Sequence, residues 1–161
     1  MESTQRSSVV ITFLELVLIL GGNTMEPNEH KTIKHFTDLR VWQKSHDLFV
    51  SIYHTIDKLP RTTTAGIILE QLLRSSGNIS ASIAEGFYSR GRRKYVRYLE
   101  TAHCSAAETE NWLIKLADCH CMENEIVKPW IETCTDVGKM LNSLMRKLEE
   151  RAKTTPKTED A

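Results

Sequence analysis

From Asp38 onward, apolar residues recur at steps of three and four, and no stretch alternates strictly between apolar and polar. That is the period of helices, each turning one side to a core. Four segments carry it. The first is capped by Asp38 and runs to about Lys58, where Pro60 stops it. Its inward stripe reads Leu39, Trp42, His46, Phe49, Tyr53 and Ile56. The second runs from about Ala65 to Gly86 behind the capping threonines Thr62 to Thr64, with Ile68, Leu72, Ile79 and Ile83 as its seam. The third starts near Gly91 and reaches about Asp118, turning Tyr95, Leu99, Ala102, Ala106, Leu113 and Leu116 or Ala117 inward. The fourth begins between Asn124 and Pro129, a proline that the first turn tolerates. It faces the core with Val127, Trp130 or Ile131, Cys134, Val137, Leu141, Leu144 and Leu148.

Four amphipathic helices with short joins predict an all-α fold, an antiparallel up-down-up-down four-helix bundle over residues 36–150. There is no internal repeat. Small residues on the second helix (Ser75, Ser76, Gly77, Ser80, Ala81) let a neighbouring backbone come close.

Two helices carry a second, polar stripe about a third of a turn from the seam. On the second helix it is Gln71, Arg74, Asn78, Ser82 and Glu85; on the third it is Thr101, Ser105, Glu108, Trp112 and Lys115. A solvated face is the plain reading. Gln, Asn, Ser and Glu around a tryptophan differ from the alternating Lys and Glu of an ordinary wet face. They read as a hydrogen-bonded helix–helix or subunit interface, with Glu85 and Arg74 as a candidate pair.

The first 35 residues do not follow the pattern. The apolar run Val9–Leu20, interrupted by Glu15, is too short to span a bilayer and has no A-x-A-like cleavage site. Gly21-Gly22 is what a purine-rich ribosome-binding sequence yields when translated, and Met25 follows at a suitable distance. Residues 1–35 are therefore expected to be an extension outside the domain, with Met25 as the native start and a short amphipathic anchor or weak signal peptide as the alternative. Residues 151–161 read as a disordered tail.

The totals narrow the partners. The chain has 161 residues with 21 Lys+Arg against 21 Asp+Glu, a formal net charge of zero. A protein basic all over is excluded, so attraction for phosphate must come from local clustering. The one dense cluster is "EGFYSRGRRKYVRYLETA", with Arg90, Arg92, Arg93, Lys94 and Arg97 among Tyr88, Tyr95 and Tyr98. Cys104, Cys119, Cys121 and Cys134 read as reduced thiols, and Cys104 and Cys134 fall beside core positions. Cys119-His120-Cys121 matches no standard zinc spacing, so no metal and no cofactor is expected. No P-loop, Rossmann fingerprint, zinc-protease helix or nucleophile elbow occurs, which points away from an enzyme. Arg97 and His103 do fit the loose Arg-x(4–6)-His spacing of the HEPN ribonucleases. A partly buried histidine is the plainer account of His103.

The motifs "FTDLRVWQKSHDL", "QLLRSSGNISASIAEGF", "YVRYLETAHCSAAETE" and "VGKMLNSLMRKLEE" resemble the bacterial four-helix-bundle family encoded within 23S rRNA intervening sequences. The resemblance spans about Phe36 to Glu150. It implies a cytoplasmic homo-oligomer, a pentamer in the family, with no membrane association if Met25 is the start. It also implies kinship with the accessory protein of diversity-generating retroelements, which binds nucleic acid through a basic surface and works with a reverse transcriptase. The family's biochemical function is largely unestablished. Asp38-Leu39, Trp42-Gln43, Gln71, Arg74, Ile83-Ala84-Glu85-Gly86, Ser105 and Glu108 match its pattern.

Three positions depart from that pattern. Asn78 and Ser82 exchange two polar residues, Cys104-Ser105 replaces Gly-Ser, and Gly91 and Lys94 replace a Ser cap and a first-turn Glu. The third departure puts cations where a helix N-terminus favours acids, at a cost of about 0.3–1 kcal/mol each when exposed. It also removes a capping box. Screening by water and a neighbouring carboxylate such as Glu85 would offset this; so would a docked anion. Arg90, Arg92, Arg93, Lys94 and Arg97, with Tyr88 for base stacking, are thus the candidate RNA- or DNA-binding residues. A protein-interaction scaffold without nucleic acid is the alternative.

Overall fold

The chain enters the bundle through a tight turn. Asp38 accepts hydrogen bonds from the backbone N–H groups of Lys34 (2.9 Å) and His35 (3.0 Å), closing a 3-10 turn over Phe36–Asp38. Asp38 therefore faces back into this turn. The first helix is set from Leu39, whose carbonyl accepts the N–H of Gln43 at 3.0 Å. The computed structural model describes residues 33–56 and 63–154, with side chains for 33–56 and 65–150. The run Val9–Leu20, the start at Met25, the side-chain caps at Thr62 to Thr64, the stop at Pro60 and the tail beyond Thr154 lie outside that description.

Four helices follow: α1 (Arg40–Ile56), α2 (Thr63–Phe87), α3 (Arg92–Asp118) and α4 (Asn124–Thr154). Each packs on its neighbours in chain order, and α4 closes back onto α1. The cross-helix contacts run antiparallel. Ser75 on α2 lies 3.1 Å from Thr109 on α3, while Gly86, further along α2, meets Tyr98, earlier on α3. Between α1 and α4, Lys44 pairs with Asp136 at 2.7 Å, and Trp130 Nε1 donates to Ser51 Oγ at 3.0 Å. The up-down-up-down bundle is the observed fold. Among the described residues, no helix is long and apolar enough to cross a membrane.

The inward face of α1 differs from the expected one. Val41, Ser45, Leu48, Ile52 and Ile56 are buried. Trp42 and Phe49 are only half-buried, and His46 and Tyr53 are exposed. Leu39 and Ile56 are buried as expected, but between them the stripe is displaced by one residue, a rotation of about 100°. Ser45 sits in the middle of the true stripe because its hydroxyl is satisfied locally, donating to the carbonyl oxygens of Val41 and Trp42. A serine bonded in this way is tolerated in a core.

The other faces follow the pattern. On α2, Leu69, Leu72, Ile79 and Ile83 are buried, with Ile68 half-buried. On α3, Tyr95, Leu99, Ala102, Ala106, Leu113 and Leu116 are buried, as are Ser105 and Thr109. On α4, Val127, Trp130, Cys134, Val137, Leu141, Leu144 and Leu148 point inward, which resolves the choice at 130/131 in favour of Trp130. The helix continues to Thr154, four residues past the expected end of the bundle.

Candidate nucleic-acid interface

The turn between α2 and α3 is built by two glycines. Gly86 ends the tight contact of α2 with α3, since a Cβ there would lie 2.9 Å from Tyr95 Cδ2 and from Tyr98 Cβ. Ser89 then folds back, donating from its N–H (3.0 Å) and its hydroxyl (2.7 Å) to the Gly86 carbonyl. Gly91 is the N-cap of α3 with φ of 87°, a conformation that side chains disfavour. Its carbonyl accepts the N–H groups of Lys94 (3.2 Å) and Tyr95 (3.1 Å). No side chain caps this end, and the first turn holds no acid.

The cations therefore start α3 uncompensated. Arg90, Arg93, Lys94 and Arg97 are exposed and Arg92 is half-buried. None of the five has an ion pair among the described residues. The screening expected from Glu85 is not realised by a direct contact. Arg93, Lys94 and Arg97 line an open groove on the outer face of α3 with Tyr98 and Thr101. Thr101 hydrogen-bonds to the Arg97 carbonyl within the helix at 3.0 Å.

Charge is segregated along the whole of α3. Its head carries Arg92, Arg93, Lys94 and Arg97 against Glu100; its far half carries Glu108, Glu110 and Asp118 against Lys115, and Glu123 and Glu125 follow. A net charge of zero thus hides one basic end and one acidic end.

At the basic end, aromatic rings run from α1 to the turn. His46 stacks on Trp42 with centroids 4.8 Å apart and planes 9° apart. Trp42 meets Phe36 at 5.2 Å, and Phe36 meets Tyr88 edge-on at 6.0 Å. Tyr88 also has edge-on contacts with Phe87 (5.3 Å) and His35 (6.1 Å), yet is 64 % exposed. Sequence reasoning missed this chain because it assigned Trp42 and His46 to the core. The i, i+4 spacing of those two residues is the signal that could have revealed the stack.

The polar stripes divide. Ser82 and Ser105 are buried, whereas Arg74, Asn78, Glu85 and Glu108 are exposed and Gln71 and Trp112 are half-buried. Their hydrogen bonds stay within one helix: Arg74 to Gln71 at 2.7 Å, and Trp112 Nε1 to Glu108 at 3.4 Å. Lys115 Nζ lies 4.2 Å from the centre of the Trp112 ring. Arg74 and Glu85 do not pair, because eleven residues of one helix separate them by about 16 Å.

Arg97 and His103 are not brought together. Arg97 opens onto the α3 groove, while His103 Nε2 lies 3.1 Å from Asn142 Nδ2 on α4. Among the described residues, no three His, Cys, Asp or Glu side chains converge as a metal site would need. Cys119-His120-Cys121 instead ends α3. His120 takes the left-handed conformation at φ 53°; its N–H reaches the Ala117 carbonyl at 2.9 Å, and that of Cys121 reaches Leu116 at 3.0 Å. These are the paired bonds of a Schellman stop. Cys134 is buried, but Cys104 is exposed, contrary to its expected place beside the core.

The family model described as 23S rRNA-intervening sequence protein matches residues 37–143. The chain belongs to that family. A solved crystal structure of a protein with unknown function from the S23 ribosomal protein family of Bacteroides thetaiotaomicron VPI-5482 is similar, with 25 % identity and a TM-score of 0.59. The alignment covers 66 % of this chain and 98 % of that one. No curated protein matches. The matched span contains the whole basic turn with Trp42, His46, Phe87 and Tyr88, and leaves out His35 and Phe36.

Proposed function

We propose that this protein is a non-enzymatic nucleic-acid-binding or accessory bundle that engages phosphates with Arg90, Arg92, Arg93, Lys94 and Arg97. The observation that carries the reading is that five cations share one turn and the start of α3 with no carboxylate among the described residues paired to any of them. Unpaired cations at a helix N-terminus work against folding, and phosphate relieves both the repulsion and the unfilled N–H groups. Self-association into a homo-oligomer, a pentamer by its kinship, would repeat the cluster around a rim. Such a ring could present RNA or DNA to a partner protein such as a reverse transcriptase, in the cytoplasm.

Binding should weaken steeply with salt, with a log–log slope of about −0.7 to −0.9 per phosphate neutralised. The triple variant R92E/R93E/K94E should lose it. Affinity measured by fluorescence anisotropy from low to moderate salt, with the mass of the assembly, tests this. Salt-independent affinity, or none at low salt, overturns it.

A second reading, a protein-interaction scaffold, is favoured by the other end of the bundle. There Tyr53, Ile67, Ile114 and Ile126 are exposed, Ile67 at 61 %. If the charge reversal leaves assembly and partner capture intact and no nucleic acid binds, this reading replaces the first.

A further inference from the structure

The ring chain His46–Trp42–Phe36–Tyr88 has an uneven exposure that packing alone does not explain. Its two inner members are half-buried and its two outer members are open to solvent. Tyr88 has three edge-on neighbours, Phe36, Phe87 and His35, and is not covered by them. An aromatic side chain fixed in this way has little rotamer freedom left to lose when a flat partner lands on it. Arg92 follows four residues later, so its Cα lies within about 14 Å of that of Tyr88. Open rings beside unpaired cations form the pairing of stacking platform and electrostatic groove that takes single-stranded nucleic acid.

From this we infer that the polynucleotide taken by the basic end is single-stranded, with a base stacked on Tyr88 while its phosphates meet Arg90 to Lys94. The inference rests on the nucleic-acid reading above and narrows it. In a duplex the bases are already stacked on one another, so only its phosphates are available to the cations. A single strand can offer phosphate and base face together. His46, at the other end of the ring chain and stacked on one side only, is the second open platform.

The test uses the full chain and a fluorescein-labelled 20-nucleotide RNA lacking internal pairing, alone and annealed to its complement. The single strand should bind about tenfold more tightly than the duplex. Tyr88→Ala should remove that preference and leave duplex affinity unchanged. Tyr88→Phe, which keeps the ring, should retain it. Equal affinity for the two forms, untouched by Tyr88→Ala, overturns the single-strand inference while the phosphate-binding reading stands. Binding of neither form at low salt overturns both. A change in assembly mass or partner capture on Tyr88→Ala, with RNA affinity unaltered, assigns the rings to a protein contact and also overturns the inference.

Discussion

Gly86 on α2 lies against the ring of Tyr95 on α3 so closely that a methyl group on Gly86 would sit 2.9 Å from Tyr95 Cδ2. The same methyl would meet Tyr98 Cβ, also at 2.9 Å. Neither obstacle is the free end of a flexible chain. Gly86→Ala should therefore destabilise the bundle by about 1–3 kcal/mol, the range for overpacking a tight contact. Urea denaturation of both proteins checks this, with the midpoint expected to fall.

Tyr95 itself presents the opposite case. Its ring is core, at 2 % exposure, and its hydroxyl has no hydrogen-bond partner among the described residues. Burial pushes the phenol far above its usual range. Tyr95→Phe removes an unpaired polar atom and keeps the ring. Stability should be unchanged or rise by about 1 kcal/mol. A loss larger than that would show that the hydroxyl is bonded in solution.

The Lys44–Asp136 pair ties α1 to α4 at 2.7 Å. The hydrogen bond and charge of Lys44 hold the Asp136 carboxyl below its usual value, and Lys139 adds to this. The folded-state pKa is thus depressed relative to the unfolded one. The stabilisation is present above the unfolded value of about 3.9 and is lost as pH falls through the lower folded value. Asp136→Asn should flatten the acid limb of stability against pH below about pH 4 and leave its shape near neutrality unchanged. Denaturation midpoints across pH 2.5–7 would read this.

The four cysteines should separate by reactivity. Cys104 and Cys119 are exposed, whereas Cys134 is buried. Desolvation, helped by the nearby Glu110 charge, pushes its thiol up to about 12. Iodoacetamide at pH 8 should label Cys104 and Cys119 in the native protein and reach Cys134 only after unfolding. Peptide mass mapping reads this directly, and native labelling of Cys134 contradicts the packing.

The third and fourth helices were the most legible in sequence. A glycine before a basic first turn put the start of α3 near Gly91, next to the observed Arg92, and one apolar stripe fixed the face of α4 except for the choice between Trp130 and Ile131. The face of α1 was not legible because two stripes one residue apart share the same period. Trp42, Phe49 and Tyr53 carry more apolar surface than Val41, Ser45 and Ile52. Only the neighbouring helices decide which stripe is enclosed. Thr109 shows a related limit: a small hydroxylated residue looks polar in sequence but satisfies itself against its own helix, donating to the Ser105 carbonyl at 2.7 Å. The basic turn was visible in sequence as a charge cluster. That its cations find no ion-pair partner among the described residues is information only the folded chain holds.

The uneven charge along α3 gives that helix a basic head and an acidic far half within a chain of zero formal net charge. Such a molecule should be retained by both cation and anion exchangers near its isoelectric point, each resin holding the opposite end. In solution, a polyanion exerts a torque before contact and turns the bundle so that Arg92 and its neighbours arrive first. Orientation is then settled during approach, and fewer encounters are wasted on the acidic end.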